Sequence, residues 1–297
     1  MGGGGIWAKY VNDFKARVIA DGGTMESPSC AKSDVKFLVQ NPEPVAFTGL
    51  LNDYSGAAAA YSLRLLDNTY TGNAIKVRRA SDNAEQDIAF SNNELDTATL
   101  ETFASGTDAF VTTWYDQSGN GNDAAQATAS AQPQIVSSGS TILKNGNPSM
   151  FYDGSDDVLQ SPFTSSQPIS IAAVGNIDTA RTFDYFISLN ATFVLGSDGT
   201  PDWRLIAGNS LTHLPVTSSQ TLLFSVANST SSVLSVNGNS ITGDAGTDGA
   251  NLISIGARTI GGGELLGTIS EIVIYNSNQT SNRTGIETNI NDFYSIY

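Results

Sequence analysis

From residue 133 onward the chain alternates short apolar runs with glycine turns at intervals of about ten residues, and this rhythm restricts the fold more than anything else. The runs fall at 149–152, 169–174, 185–188, 192–195, 203–207, 222–227, 232–236, 252–256 and 267–275. Between them lie Asn145-Gly146, Asp153-Gly154, Asp198-Gly199, Asn237-Gly238 and Asp248-Gly249. Asx-Gly pairs supply the positive φ angles that tight hairpins need. Short strands joined by such turns predict an antiparallel β-sandwich or jelly roll.

Helical patterning is confined to the ends and a few short insertions. In residues 6–20, Trp7, Tyr10, Val11, Phe14 and Val18 recur at three- and four-residue spacing, which predicts an amphipathic helix ended by Asp21-Gly22-Gly23. A second apolar group at 35–39 follows Ser33-Asp34, and Asn41-Pro42-Glu43-Pro44 breaks the chain. We therefore expect a helical segment over 1–45 and a main domain over 46–297. The alanine-rich stretch 56–67 reads as a helix. Residues 74–79 and 109–115 read as strands, with a return over 87–90. Asp96 is placed to cap a short helix through Phe103, and a last helix is expected over 282–293.

Composition removes several function classes. The single Cys30 excludes an intrachain disulfide, and the single His213 excludes sites built on two imidazoles. Ser-His catalysis would have to run through His213, which no motif surrounds; a structural role is the expectation. The net charge of −15, concentrated after residue 80, argues against nucleic acid. No apolar run reaches the roughly 20 residues that span a bilayer, so no membrane partner is expected. The opening MGGGGI lacks a secretory pattern, and Ile6 stands where a myristoylation signal carries Ser or Thr.

Three stretches carry a family resemblance. They are Ala60-Tyr61-Ser62-Leu63-Arg64, residues 74–83 (AIKVRRASDN), and Phe110-Val111-Thr112-Thr113-Trp114-Tyr115-Asp116-Gln117-Ser118-Gly119-Asn120-Gly121-Asn122. Together they resemble the catalytic domain of the fungal arabinofuranosidase B family, over roughly residues 57–136. The resemblance implies a concanavalin-like jelly-roll sandwich. Residues 235–238, 253–258 and 267–275 are similar to the related laminin-G type. The fold class expected is thus mainly β, an antiparallel concanavalin-like jelly-roll sandwich with a short N-terminal helical appendage. Residues 14–26 resemble openings found ahead of such domains in tailed-phage virion proteins.

The resemblance also implies a retaining glycosidase, which needs two carboxyl groups about 5–5.5 Å apart. In that family the nucleophile is a glutamate a few residues after a strand that begins with Trp. Here the similar strand starts at Trp203, and no Glu or Asp follows until Asp244. The family's acid is an aspartate just past the final strands, where this chain reads Tyr275-Asn276-Ser277-Asn278-Gln279. Glu271 lies within a half-buried strand and is expected to be structural. The family's cysteine pairs are absent as well.

The expectation that follows is a fold kept without the hydrolase: a phage virion protein of capsid, head fibre or tail, displaying a lectin-like sandwich on the particle surface after synthesis in the host cytoplasm. Its partners would be virion proteins, in an oligomeric setting, and host-surface carbohydrate. Trp7, Tyr10, Phe14 and Val18 would dock the helix on a partner or on the sandwich itself. Trp203, Trp114, Tyr152 and Tyr185 are the aromatic candidates for stacking on sugar rings. Asp116, Asn120, Asn122 and Asp123 are expected to cap their own turn, with Ca²⁺ ligation through their oxygens as the alternative; no other cofactor is expected. The alternative is an active arabinofuranosidase.

Overall fold

In the computed structural model, residues 47–179, 181, 183–198, 202–258 and 261–297 are described. The chain divides into Met1–Ala46 and Phe47–Tyr297. The expected N-terminal helices, with Trp7, Tyr10, Phe14, Val18 and Cys30, lie outside the described residues. The second unit is mostly antiparallel β among the described residues. Among the described residues, 19 strands form one ladder folded over on itself, with two further two-stranded pairs.

The strand Leu266–Tyr275 runs through the middle of one layer. It pairs with Met150–Asp153 and then Ala59–Ser62 on one side, and with Ile169–Ile177 on the other. Thr221–Ala227, Ser232–Val236 and Asn239–Gly243 continue this layer. The second layer runs Glu85–Ile88, Ile75–Arg79, Ala109–Trp114, Ala124–Ala125, Leu159–Ser165, Ala250–Ile255, Phe183–Asn190, Phe193–Asp198, Asp202–Ala207 and Ser210–Pro215. Gln134–Ser137 pairs with both layers and joins them at one edge.

The main core fills the space between the layers, with Ile269, Ile272 and Ile274 facing Trp114, Trp203, Phe186 and Ile253. Val273 and Tyr275, on the opposite face of the same strand, pack beneath the helix Arg283–Tyr294 through Ile286, Ile290 and Tyr294. Both faces of Leu266–Tyr275 are thus covered, which explains the continuous apolar run Ile272-Val273-Ile274-Tyr275 at its end.

The expected strands are present with ends shifted by a few residues. Asp96 does cap Thr97–Phe103, its carboxylate accepting from the Thr99 N–H. The alanine-rich stretch departs from expectation: Ala59–Ser62 is a strand, not a helix. Ala59 and Ala60 are fully buried, Ala59 in the inter-layer core and Ala60 under the helical layer. Small side chains fit this two-sided site, and packing overrides alanine's helix propensity. Leu159–Ser165 is unexpected as well. Its Pro162 signals a break, yet the ladder absorbs it at a register shift between Pro162 and Ser165.

Candidate active site

One end of the sandwich gathers the loops that carry the distinctive residues. The Trp114–Asp123 run leaves the strand Ala109–Trp114 and folds back over the start of Ala59–Ser62. Asp116 is 4% exposed. Its Oδ1 accepts from the N–H groups of Ala60 at 2.8 Å and Ser118 at 2.9 Å; its Oδ2 accepts from Ser118 Oγ at 2.7 Å and the Asn122 N–H at 3.0 Å. Gln117 is equally occupied, accepting from the Leu66 N–H and donating to the carbonyls of Ser62 and Arg64. Gly119 and Gly121 take positive φ, +82° and +74°, which lets the loop close around Asp116. The run is a clasp that fixes one strand to its neighbours.

The outer residues of the clasp face a groove. Asn120 donates its amide hydrogens to the carbonyls of Ala57 and Ala58, and Asn122 donates to Ala58. Both border an open cavity of about 500 Å³, together with Phe163, Thr164 and Asn276.

The strand Asp202–Ala207 ends at the same side in a turn through Gly208 and Asn209. Asn209 Nδ2 donates to Asp244 Oδ2 at 3.0 Å, and the Gly246 N–H donates to Asp244 Oδ1 at 2.8 Å. The Asp248 carboxylate lies against Gly208, so close that a Cβ there would stand 3.3 Å from Oδ2. Thr192 Oγ1 donates to Asp248 Oδ2. Gln167 holds the loop in place, donating from Nε2 to the carbonyls of Gly246 at 3.1 Å and Asp248 at 2.9 Å, while its Oε1 accepts from the Ser229 N–H. Asp244 is exposed and Asp248 half-buried. Two carboxylates therefore flank the turn that ends the Trp203 strand, although both lie 35 or more residues from that turn in sequence. Linear reading misses them because they arrive from the connection between Asn239–Gly243 and Ala250–Ile255.

The aromatic candidates are placed differently from expectation. Trp114 and Tyr152 are 0% exposed, and Trp203 and Tyr185 are 1% exposed, so none presents a ring face to a sugar. Trp203 stacks edge-on with Phe186 at 5.3 Å between centroids, and Trp114 packs on Tyr61 at 5.7 Å. Their alternation within strands points inward, and burial of large rings outweighs display. Of the Ca²⁺ candidates, Asp116 is saturated by four donors. Asp123 accepts from the Asp116 N–H, while Asn120 and Asn122 turn their amide hydrogens inward. Asp116 and Asp123 thus cap the loop's own backbone, and Asn120 and Asn122 pin the loop to Ala57 and Ala58. At the opposite end of the sandwich, Asp153, Asp156 and Asp157 bring carboxylate oxygens within 4.8 Å of one another. His213 bonds through Nε2 to the Asn239 carbonyl, at a distance from both carboxylate groups in the ladder. Glu271 is fully buried in an ion pair with Arg64.

Comparison with known proteins adds to this geometry what the chain is similar to. The family profile "Alpha-L-arabinofuranosidase B, catalytic" matches residues 53–147. The alpha-L-arabinofuranosidase B of Penicillium canescens is 40% identical over 72 residues, which is 24% of this chain and 16% of that protein. A Glu-to-Gln mutant of a GH54 α-L-arabinofuranosidase, soaked with 4-nitrophenyl α-L-arabinofuranoside, superimposes with a TM-score of 0.60 at 19% identity, over 79% of this chain and 62% of that one. An arabinofuranosidase complexed with arabinofuranosyl-α-1,2-xylobiose gives 0.57 at 20% identity over the same shares. At these identities the structural likeness establishes the fold. The chain spans 62% of the solved arabinofuranosidases and 16% of the curated relative.

These matches bear out the resemblance read from the Trp114 run and correct what was built on it. They run to glycoside hydrolases, which overturns the expectation of a non-enzymatic phage virion display protein. The lack of a carboxylate shortly after Trp203 in sequence does not leave that turn without one, because the fold brings Asp244 and Asp248 to it from 35 and more residues away.

Proposed function

We propose that this chain is a glycoside hydrolase that cleaves arabinofuranosides, with Asp244 and Asp248 as its carboxyl pair. The observation that carries this reading is the convergence of both carboxylates on the Gly208–Asn209 turn, at the end of the strand that begins beside Trp203. Glycoside hydrolysis asks for one carboxyl group that protonates the leaving oxygen and one carboxylate that attacks the anomeric carbon or activates water. It needs no thiol and no imidazole, which suits a chain with one Cys and one His. The arabinofuranosidase profile over 53–147 supplies the sugar.

Each carboxylate is oriented by its neighbours. Asp244 is held by the Asn209 amide and the Gly246 N–H, and Asp248 by Thr192 and the Gln167-clamped loop. Fixing both groups before substrate arrives is what acid–base catalysis requires. The test is release of 4-nitrophenol from 4-nitrophenyl α-L-arabinofuranoside by the full chain. Wild type should turn over, and Asp248→Asn and Asp244→Asn should each lose at least about 100-fold in kcat with unchanged melting temperature. No release above the blank, or full activity in both variants, overturns the proposal.

A further inference from the structure

We propose that Asn145 is a modification site that the fold singles out: its side-chain amide is lost spontaneously through a cyclic imide closed by the Gly146 nitrogen. Aspartate and isoaspartate are left at the tip of a hairpin. The proposal is independent of the hydrolase reading above.

The reaction consumes only water. The Gly146 amide gives up its proton to hydroxide, and its nitrogen attacks Asn145 Cγ. The N–Cγ bond forms, the Cγ–Nδ2 bond breaks, and ammonia leaves with a proton from solvent, which regenerates hydroxide. Water then opens the five-membered ring. Attack at Cγ restores an aspartyl backbone, whereas attack at the main-chain carbonyl carbon gives isoaspartate, with an extra methylene in the chain. Nothing is oxidised or reduced. Glycine carries no Cβ to crowd its own nitrogen, so Asn-Gly pairs are where this chemistry is easiest.

Such pairs stand at 120–121, 145–146 and 237–238, and the fold treats them differently. Asn120 is exposed, but its Nδ2 is pinned to the carbonyls of Ala57 and Ala58 and to Ser118 Oγ. Asn237 is half-buried. Its Oδ1 accepts from the Leu222 N–H at 2.9 Å, and its own N–H donates to the Leu222 carbonyl at 2.9 Å. The Tyr297 ring stands over the next residue, 3.3 Å from where a Gly238 Cβ would lie. Neither side chain can swing its Cγ onto the following nitrogen without breaking these bonds. Two or more hydrogen bonds broken before ring closure slow it by about tenfold or more.

Asn145 has no such restraint. It and Gly146 are both exposed. Its side chain forms no hydrogen bond among the described residues, and the Gly146 N–H donates to no group among them. A Cβ built on Gly146 would meet nothing within 4 Å, so the attacking nitrogen lies in open space. The two residues, with φ of +50° and +81°, close the hairpin in which Leu143 and Lys144 pair with Pro148 and Asn147. That hairpin is a two-stranded sheet separate from the main ladder, so its tip can bend while the core strands stay in place. The product puts a carboxylate beside Lys144, whose Nζ faces Asp178 Oδ1 at 3.8 Å.

The experiment ages the full chain in mildly alkaline buffer, folded and in urea, digests it under acidic conditions and maps the peptides by mass. A protease that cuts before aspartate but not before isoaspartate separates the two products. In the folded chain the Asn145 peptide should gain the mass of an amide-to-acid exchange, as both products, at least about tenfold faster than the Asn120 and Asn237 peptides. In urea the three rates should converge, and in mildly acidic buffer the Asn145 gain should slow. The proposal is overturned if Asn145 stays intact, or if all three peptides convert at one rate in the folded chain. It is also overturned if Asn145 leads by the same factor in urea, because sequence rather than fold would then select it.

Discussion

Arg64 and Glu271 meet in a bidentate ion pair inside the fold, Nε to Oε2 at 2.7 Å and Nη2 to Oε1 at 3.0 Å. Ser62 Oγ donates to the same carboxylate, and Arg64 reaches across to Asn289 on the C-terminal helix. The Arg64 guanidinium also lies over the Phe293 ring at 5.0 Å. One buried pair thus ties an edge strand, the central strand and the last helix together. Removing one partner leaves the other charge buried and unpaired, which costs far more than the pair contributes. Glu271→Ala and Arg64→Ala should each destabilise the fold by about 3–5 kcal/mol in urea unfolding. The amides of Arg283–Tyr294 should lose hydrogen-exchange protection first. A loss below about 1 kcal/mol would show the pair to be incidental.

Asp116 predicts a second failure of the same kind. Its side chain is the acceptor for three backbone N–H groups and one hydroxyl, all beside a buried strand. Asp116→Ala strands those donors without reaching water, at roughly 1–3 kcal/mol for the first and less for those that relax. A loss of about 3 kcal/mol in unfolding free energy is expected. Broadened Asn120 and Asn122 amide signals should accompany it, because the clasp that orients them is gone. A variant as stable as wild type would mean that the loop holds itself.

Turn chemistry is the part of this fold most legible in the sequence. Asn145-Gly146 and Asn237-Gly238 both take positive φ and close hairpins, as their side chains dictate. Period-two burial in Asp202–Ala207 is equally readable, and the correct consequence was that Trp203 faces the core. The same alternation turns Trp114 inward, which leaves neither ring as a sugar platform. Ala59–Ser62 was illegible for a different reason: alanine's local preference is weak, and the neighbours that settle it lie more than 200 residues away. Asp244 and Asp248 illustrate the limit for sites. Residue types and spacing describe a site only when its parts share an element, and these carboxylates meet the Trp203 strand solely through tertiary packing.

Tyr152 offers a test of that burial. Its hydroxyl finds no hydrogen-bond partner among the described residues, and its ring lies against Gly256, where a Cβ could not be accommodated. An unpaired buried hydroxyl is a cost of folding. Tyr152→Phe should therefore raise stability by about 1 kcal/mol, seen as a higher urea midpoint at unchanged slope. A lower midpoint would mean that the hydroxyl has a partner worth keeping. Gly256→Ala should be destabilising whatever residue stands at 152, since Gly256 has φ of +86°.

Asp157 makes the fold's stability depend on pH in a defined window. It is 6% exposed, in the turn after Met150–Asp153. Burial is the main cause that pushes its pKa up to about 7 from 3.8. The Asp153 N–H opposes the shift, while the carboxylates of Asp153 and Asp156 add to it. Below pH 4 this group is protonated in both the folded and the unfolded chain and contributes nothing to the slope. Between about 4 and 7 the unfolded chain has released the proton and the folded chain still holds it, so stability falls as pH rises. Above 7 both forms are ionised and the penalty is constant. The general negative charge of the chain gives a slope of the same sign, so the comparison must be with a variant. Asp157→Asn keeps an oxygen for the Asp153 N–H and removes the titration. Unfolding free energies at pH 4.5 and 7.5 should fall by about 1–3 kcal/mol more in wild type than in Asp157→Asn. Equal losses in the two proteins would place the Asp157 carboxyl in ordinary contact with water, and the three-carboxylate turn would then carry no proton of its own at neutral pH.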